Sequence, residues 1–249
     1  MADLNRIAEI RGLPLSISDD GTVVTLGEGH CFLPSGRRIM SPGVNATVSA
    51  AQPIGLLHAY AMEGSNNLIG LELSATGPDA PYRGVARAKQ GDPTRRYLAT
   101  GRVESVGKLR AGRHLIVGSR GNVVTLYRAA TATTVPVQLL SLPILALTPP
   151  TQQVGDLTGL ISPAASAVEL KVSNMSNLTA YLGVPAMGAL SRLNHIMEVA
   201  ANSTVVFTCP LDSDLKVTML ASATGLLGNV VAIGVGTVQI SVMGYVFDR

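Results

Sequence analysis

The chain has 249 residues and a formal net charge of +3; hydrophobic residues make up 47%, aromatics 4% and charged residues 14%, and Trp is absent. That length allows one large or two modest domains. So little charge suits a free monomer poorly, because apolar strand faces left in water call for cover in an oligomer or a larger assembly.

The start, Met1-Ala2-Asp3-Leu4-Asn5-Arg6, places acidic and polar residues where a secretory leader would carry an apolar run. The expectation is a protein made and kept soluble in a cytoplasm. Leu4, Ile7, Ala8 and Ile10 give a rough helical stripe that Gly12 and Pro14 close, so a short docking helix is expected over residues 1–14.

From Leu15 onwards the pattern is that of strands, since β-branched residues fit a pleated surface and 26 Gly and 14 Pro punctuate turns. Leu15 and Ile17 alternate with Ser16 and Ser18, and Asp19-Asp20-Gly21 makes a turn before Thr22–Leu26. Further strands are expected at His30–Leu33, Thr47–Ala50, Ile54–Met62, Leu68–Ala75, Tyr97–Val106, His114–Gly118, Asn122–Arg128 and Val135–Leu140. Pro42-Gly43, Glu63-Gly64 and Arg120-Gly121 mark turns between them.

Val135–Leu147 is the longest apolar stretch, but Pro136, Gln138, Ser141 and Pro143 break it well short of the ~20 residues of a membrane helix. Thr148-Pro149-Pro150-Thr151-Gln152-Gln153 and Ser162-Pro163-Ala164-Ala165-Ser166 have linker chemistry. The expected division is therefore an N-terminal β domain over 1–147, a Pro-rich linker over 148–166 and a C-terminal β domain over 167–249. In the last of these, Val168, Leu170 and Val172 alternate with Glu169, Lys171 and Ser173 as in a half-buried strand. Leu178–Val184, Ser203–Cys209, Leu215–Ala221, Val230–Val235 and Val238–Phe247 follow, with helical alternatives at Met187–Met197 and Thr224–Gly228. The fold class expected is all-β: two small sandwich or jelly-roll-like domains with a short N-terminal helix.

Chemistry-bearing motifs are scarce. His30, His58, His114 and His195 fall in no metal-ligand spacing, and the neighbours His30 and Cys31 point to opposite faces of a strand. Cys31 and Cys209 sit in strand-like stretches and read as buried free thiols, with a long-range disulfide as the alternative that spacing does not decide. Nucleophile elbows and phosphate-binding loops are missing, and Asp19-Asp20 and Asp212/Asp214 are turn formers. No catalytic, cofactor-binding or metal-ligating residue is assigned.

One stretch stands out. Arg83, Arg87, Lys89, Arg95, Arg96, Arg102, Lys108, Arg110, Arg113, Arg120 and Arg128 face only Asp92 and Glu104, while the rest of the chain is net acidic. Tyr82, Tyr97 and Tyr127 are the aromatics available there, too few for a base-stacking surface, so nucleic acid is not the expected partner. Arg suits bidentate contacts between subunits instead.

Leu57-His58-Ala59-Tyr60, Leu71-Glu72-Leu73-Ser74, Ala80-Pro81-Tyr82-Arg83-Gly84-Val85-Ala86-Arg87-Ala88-Lys89 and Asp92-Pro93-Thr94-Arg95-Arg96-Tyr97-Leu98 together resemble a block that recurs in tailed-phage tail-fibre and virion structural proteins. His58-Ala59 stand where the family has bulkier residues, and Ala99-Thr100 where Gly is commoner. Phe32-Leu33-Pro34-Ser35-Gly36 and the closing Gly244-Tyr245-Val246-Phe247-Asp248-Arg249 are similar to flanking parts of such proteins. The resemblance implies a non-enzymatic particle component (fibre, spike, collar or capsid decoration) located in the virion after assembly in the host cytoplasm. It implies a homo-oligomer, with a trimer favoured, docked on capsid, portal, collar or tail proteins. Host-surface glycan is the alternative partner. Tyr82 and Tyr97 are expected to anchor the core of the N-terminal domain. Tyr82, Arg83, Arg87, Lys89, Arg95, Arg96 and Tyr97 are the residues expected at a partner or subunit contact.

Overall fold

The computed structural model describes residues 9–110, 112–117, 122–127, 137–144, 152–222 and 236–247. All regular structure in them is β apart from two single 3-10 turns, so the chain is an all-β protein built from antiparallel sheets. Among the described residues no helix is long and apolar enough to cross a membrane.

In chain order the strands are β1 (Ile10–Gly12), β2 (Leu15–Ile17), β3 (Val23–Phe32), β4 (Arg38–Thr47), β5 (Gly55–Glu63), β6 (Ile69–Ser74), β7 (Pro78–Arg83), β8 (Ala86–Lys89), β9 (Asp92–Ser105), β10 (Lys108–Leu109), β11 (Gly112–Val117) and β12 (Asn122–Tyr127). They continue with β13 (Val137–Ile144), β14 (Gln153–Asp156), β15 (Ala165–Asn174), β16 (Thr179–Gly183), β17 (Met197–Val199), β18 (Ser203–Pro210), β19 (Lys216–Ser222) and β20 (Gly236–Phe247). The chain forms two compact units, one of Met1–Thr134, Gly159–Ala165 and Tyr245–Arg249, the other of Val135–Thr158 and Ser166–Gly244.

In the first unit, β1-β3-β2-β11-β12 lie side by side with β4 on β3, and a second sheet runs β6-β5-β9-β8-β7 with β10 on β9. Its core includes Leu13, Leu26, Cys31, Ile39, Tyr60, Tyr97 and Leu98, all essentially sealed from water. In the second unit, β20-β15-β18 are adjacent, β13 pairs with β20, and β14-β19-β16-β17 make a four-stranded sheet. Val168, Leu170 and Val172 of β15 are fully buried while their neighbours are half-exposed, the period of two that their sequence carries.

Four expected features take another form. The helix over 1–14 is not seen: residues 1–8 lie outside the described ones, and Ile10–Gly12 is a strand paired with Gly29–Cys31. Leu13 follows at φ 58, which no right-handed helix accepts. A Cβ on Gly29 would stand 2.3 Å from the Arg11 carbonyl oxygen, so the glycine is what admits β1 to this edge. Gly27 and Gly29 therefore sit inside one ten-residue β3 instead of separating two strands.

Pro42-Gly43, expected as a turn, lies inside β4, with Pro42 opposite Glu28 and the register to β3 unbroken on either side. Met187–Met197 is not a helix: a 3-10 turn at Pro185–Met187 is followed by irregular chain. There the Asn194 amide donates to the Met187 and Ala189 carbonyls, satisfying backbone acceptors from a side chain. Thr224–Gly228, Val230–Val235 and Arg120-Gly121 lie outside the described residues. Within 148–166, Gln153–Asp156 pairs with Lys216–Met219 as β14, and residues 159–165 belong to the first unit.

The Asp19-Asp20-Gly21 turn is built as its sequence suggests. The Asp20 carboxylate accepts from the Ser18 hydroxyl and from the Thr22 amide and hydroxyl, and these hydrogen bonds lower its pKa to about 2. Gly21 has φ 74, and a Cβ there would lie 2.1 Å from the Leu109 carbonyl oxygen. Gly21→Ala is expected to cost about 1–3 kcal/mol in equilibrium denaturation, since both the left-handed backbone and the contact with Leu109 are violated. An unchanged midpoint would show that β10 does not pack on this turn as described.

Candidate functional site

The residues singled out in the sequence converge on β9 and its neighbours. Tyr60 lies directly opposite Tyr97, Ala59 opposite Ala99 and His58 opposite Thr100, so Leu98 is an extra residue on β9. This is a β-bulge, and its effect follows from the pleat. Residues three apart on a regular strand point to opposite faces; the extra residue resets the alternation and brings Tyr97 and Thr100 to the same one. Their hydroxyl oxygens are 2.7 Å apart.

A hydrogen-bonded chain grows from that contact. His58 Nδ1 lies 2.7 Å from the Thr100 Oγ1, and the Tyr97 hydroxyl is 2.7 Å from the Ser162 Oγ. The Tyr245 hydroxyl donates to the Thr100 carbonyl. Aromatic rings enclose the chain: Tyr60 meets Tyr97 edge-on with centroids 5.9 Å apart, and Phe247 lies 5.8 Å from Tyr97 and 5.6 Å from Tyr245. His58, Tyr97, Thr100 and Ser162 are all buried. Burial moves the His58 pKa down to about 4 and raises that of Tyr60, so the imidazole is neutral and Tyr60 keeps its proton at ordinary pH. The arrangement resembles a proton relay in its connectivity, but His58, Tyr97, Thr100 and Ser162 are each no more than 3% exposed.

The basic residues have two fates. Glu72 of β6 receives Lys89 of β8 through one carboxylate oxygen and Arg95 of β9 through the other, each at 2.5 Å. Although its partial burial opposes ionisation, these hydrogen bonds and charges hold the Glu72 pKa below its ordinary value. Arg110 pairs with Glu104, and Arg87 donates to the Asp79 carbonyl. Arg96 is fully buried, its guanidinium 5.6 Å from the centre of the Tyr82 ring.

Of the residues expected at a partner contact, Arg96 and Tyr97 are thus interior. Lys89 and Arg95 are half-buried and tied to Glu72, while Arg83, Arg87 and Tyr82 remain on the β7–β8 hairpin at or near the surface. Tyr97 anchors the core as expected; Tyr82, 36% exposed, instead lies over Arg96 at the surface. Tyr181 and Tyr245, the aromatics that a glycan platform in the C-terminal half would need, are buried. Pro81–Ala86, part of the block that carries the resemblance, lies in that hairpin, which turns at Gly84-Val85 with Arg83 opposite Ala86. Among the described residues no three His, Cys, Asp or Glu side chains converge on one point. Cys31 and Cys209 are both buried and form no disulfide with each other, and burial pushes the Cys209 thiol up to about 11.

Sequence reasoning missed the polar chain. His58, Thr100 and Ser162 carry no motif, and only the bulge, which depends on how β5 and β9 pair, brings Tyr97 and Thr100 together. Comparison with known proteins identifies no family: no family model matches the chain, and no curated protein matches it.

The depressed His58 pKa fixes a pH dependence. The unfolded chain takes up this proton near 6.5 and the folded chain only near 4, so the unfolded state binds more protons between these values. Stability therefore falls as pH drops through that window, by about 3 kcal/mol in total. Denaturation at pH 7.5 and 4.5 is expected to show this fall in the wild type and a clearly smaller one in His58→Gln. Equal falls in both proteins would mean that His58 is not held neutral by burial.

Proposed function

We propose that the chain is a non-enzymatic structural component of a tailed-phage particle: a fibre, spike, collar or capsid decoration that associates with copies of itself and docks on other virion proteins. The observation that carries this reading is the use made of its ionisable and polar groups. Glu72 ties together β6, β8 and β9, Arg110 holds Glu104, Arg96 packs on Tyr82, and His58 closes a buried hydrogen-bonded chain. These groups knit the sheets instead of converging on a substrate.

Exposed apolar side chains accompany that economy of charge. Ile54 and Val106 are each 62% exposed and Leu193 97%, surface that an assembly would cover. The resemblance around Arg95-Arg96-Tyr97-Leu98 supplies the phage context, and the structure gives that block a physical role: Arg95 and Arg96 serve opposite faces of β9, and Tyr97 fills the core. In the finer form of the proposal the chain makes two sandwich-like domains, associates as a trimer and uses Tyr82, Arg83 and Arg87 of the β7–β8 hairpin against neighbouring virion proteins.

Light scattering of the purified chain across a salt range tests the proposal. The expected result is an oligomer of constant mass from low to high salt, because apolar contacts are not screened. Dissociation as salt rises would shift the contact to the basic hairpin. A monomer at every concentration would contradict self-association.

A further inference from the structure

Strand edges expose rows of unpaired N–H and C=O groups, and proteins blunt them with short length, proline or charge. Most outer strands of this chain carry such protection. β7 contains Pro78 and Pro81; β1 has three residues, including Arg11; β17 has three, including Glu198; and β14 has four, ending in Asp156.

β18 does not follow them. It runs for eight residues, Ser203–Pro210, pairs on one side with β15 from Ala167 to Asn174, and ends its sheet on the other side among the described residues. No charged residue occurs between Glu198 and Asp212, and the one proline stands at the last position of the strand. The core is also unfinished along it. Val172 and Leu170 are fully buried on β15, yet their partners Val205 and Phe207 on β18 remain half-exposed, and Val206 on the other face is 55% exposed.

We infer that this edge of β18, open among the described residues, pairs antiparallel with β18 of a second copy of this chain. The sequence of the edge argues for that occupant. Thr204-Val205-Val206-Phe207-Thr208 is nearly palindromic about Val206. An antiparallel copy centred there sets Val206 against itself, Thr204 against Thr208, and Val205 against Phe207 on each side of the two-fold axis. Thr–Thr and aromatic–β-branched pairs are among the favourable cross-strand neighbours, and no like charges meet. The added strand covers Val205 and Phe207 and pairs the backbone groups that no described strand meets. A two-fold contact of this kind joins copies in pairs, making a dimer of a monomer and a pair of trimers of a trimer.

This inference rests on the proposal that the chain self-associates, and it assigns one contact to that association. The test compares the light-scattering mass of the wild type with that of Val206→Lys, which puts two like charges face to face at the centre of the pairing, and of Val206→Thr as a control. Far-ultraviolet circular dichroism verifies that each variant is folded. The expected result is an even-numbered wild-type assembly, a two-fold lower mass for Val206→Lys and an unchanged mass for Val206→Thr.

A second variant needs no disruption. Val206→Cys faces its own copy, so mild oxidation should link most of the protein into disulfide-bonded pairs, whereas Val85→Cys on the β7–β8 hairpin should not link. An oligomer whose mass Val206→Lys leaves unchanged, with no cross-link through Val206→Cys, overturns the β18 contact while leaving self-association standing. A monomeric wild type overturns both.

Discussion

The extra residue at Leu98 in β9 puts Tyr97 and Thr100 on one face of the strand, and the organisation of the first unit depends on what that allows. With the two hydroxyls in contact, His58 completes the chain from β5, Ser162 joins it from the segment 159–165, and Tyr245 and Phe247 add the end of β20. Segments far apart in sequence thus meet around one tyrosine. A buried hydroxyl without a partner costs about 1–3 kcal/mol, so a network in which the members satisfy each other favours this one pairing of β5 with β9 over a register slipped by a residue.

The same economy governs charge. Carboxylates reach several of the covered cations: Glu72 serves the half-buried Lys89 and Arg95, and Glu104 serves the buried Arg110. Arg96, fully buried, is accommodated by the face of Tyr82. Part of a stretch that looks in sequence like a basic surface, Lys89, Arg95, Arg96 and Arg110, is an internal brace. Elsewhere the surface exposes large apolar side chains such as Ile54, Val106 and Leu193.

Much of the strand pattern was legible. Leu15–Ile17 and the alternation of Val168, Leu170 and Val172 follow directly from a period of two, and the Asp20-Gly21 turn follows from carboxylate capping and a left-handed glycine. The all-β class follows from the same signals. Other features lay beyond local pattern. Glycines inside β3 read as a break, yet they admit β1 by letting two backbones approach. Ile10–Gly12 looks helical by spacing, but an open edge of β3 and the backbone at Leu13 make it a strand. The β7–β8 hairpin is absent from the expected strands, and Pro78 and Pro81 weaken the strand signal of β7. The polar chain around Tyr97 was invisible because a bulge is a property of two paired strands. The partners of Lys89 and Arg95 were hidden for a related reason, since Glu72 lies 17 and 23 residues away on another strand.

A double-mutant cycle on Tyr97→Phe and Thr100→Val, read by equilibrium denaturation, tests most directly the claim that one bulge-dependent network holds this unit together. Each single change is expected to cost about 1–2 kcal/mol, and the pair should cost less than the sum by at least about 0.5 kcal/mol, because either change alone strands the other's hydroxyl partners. Strict additivity would mean that the two hydroxyls do not meet and that β9 pairs with β5 in another register.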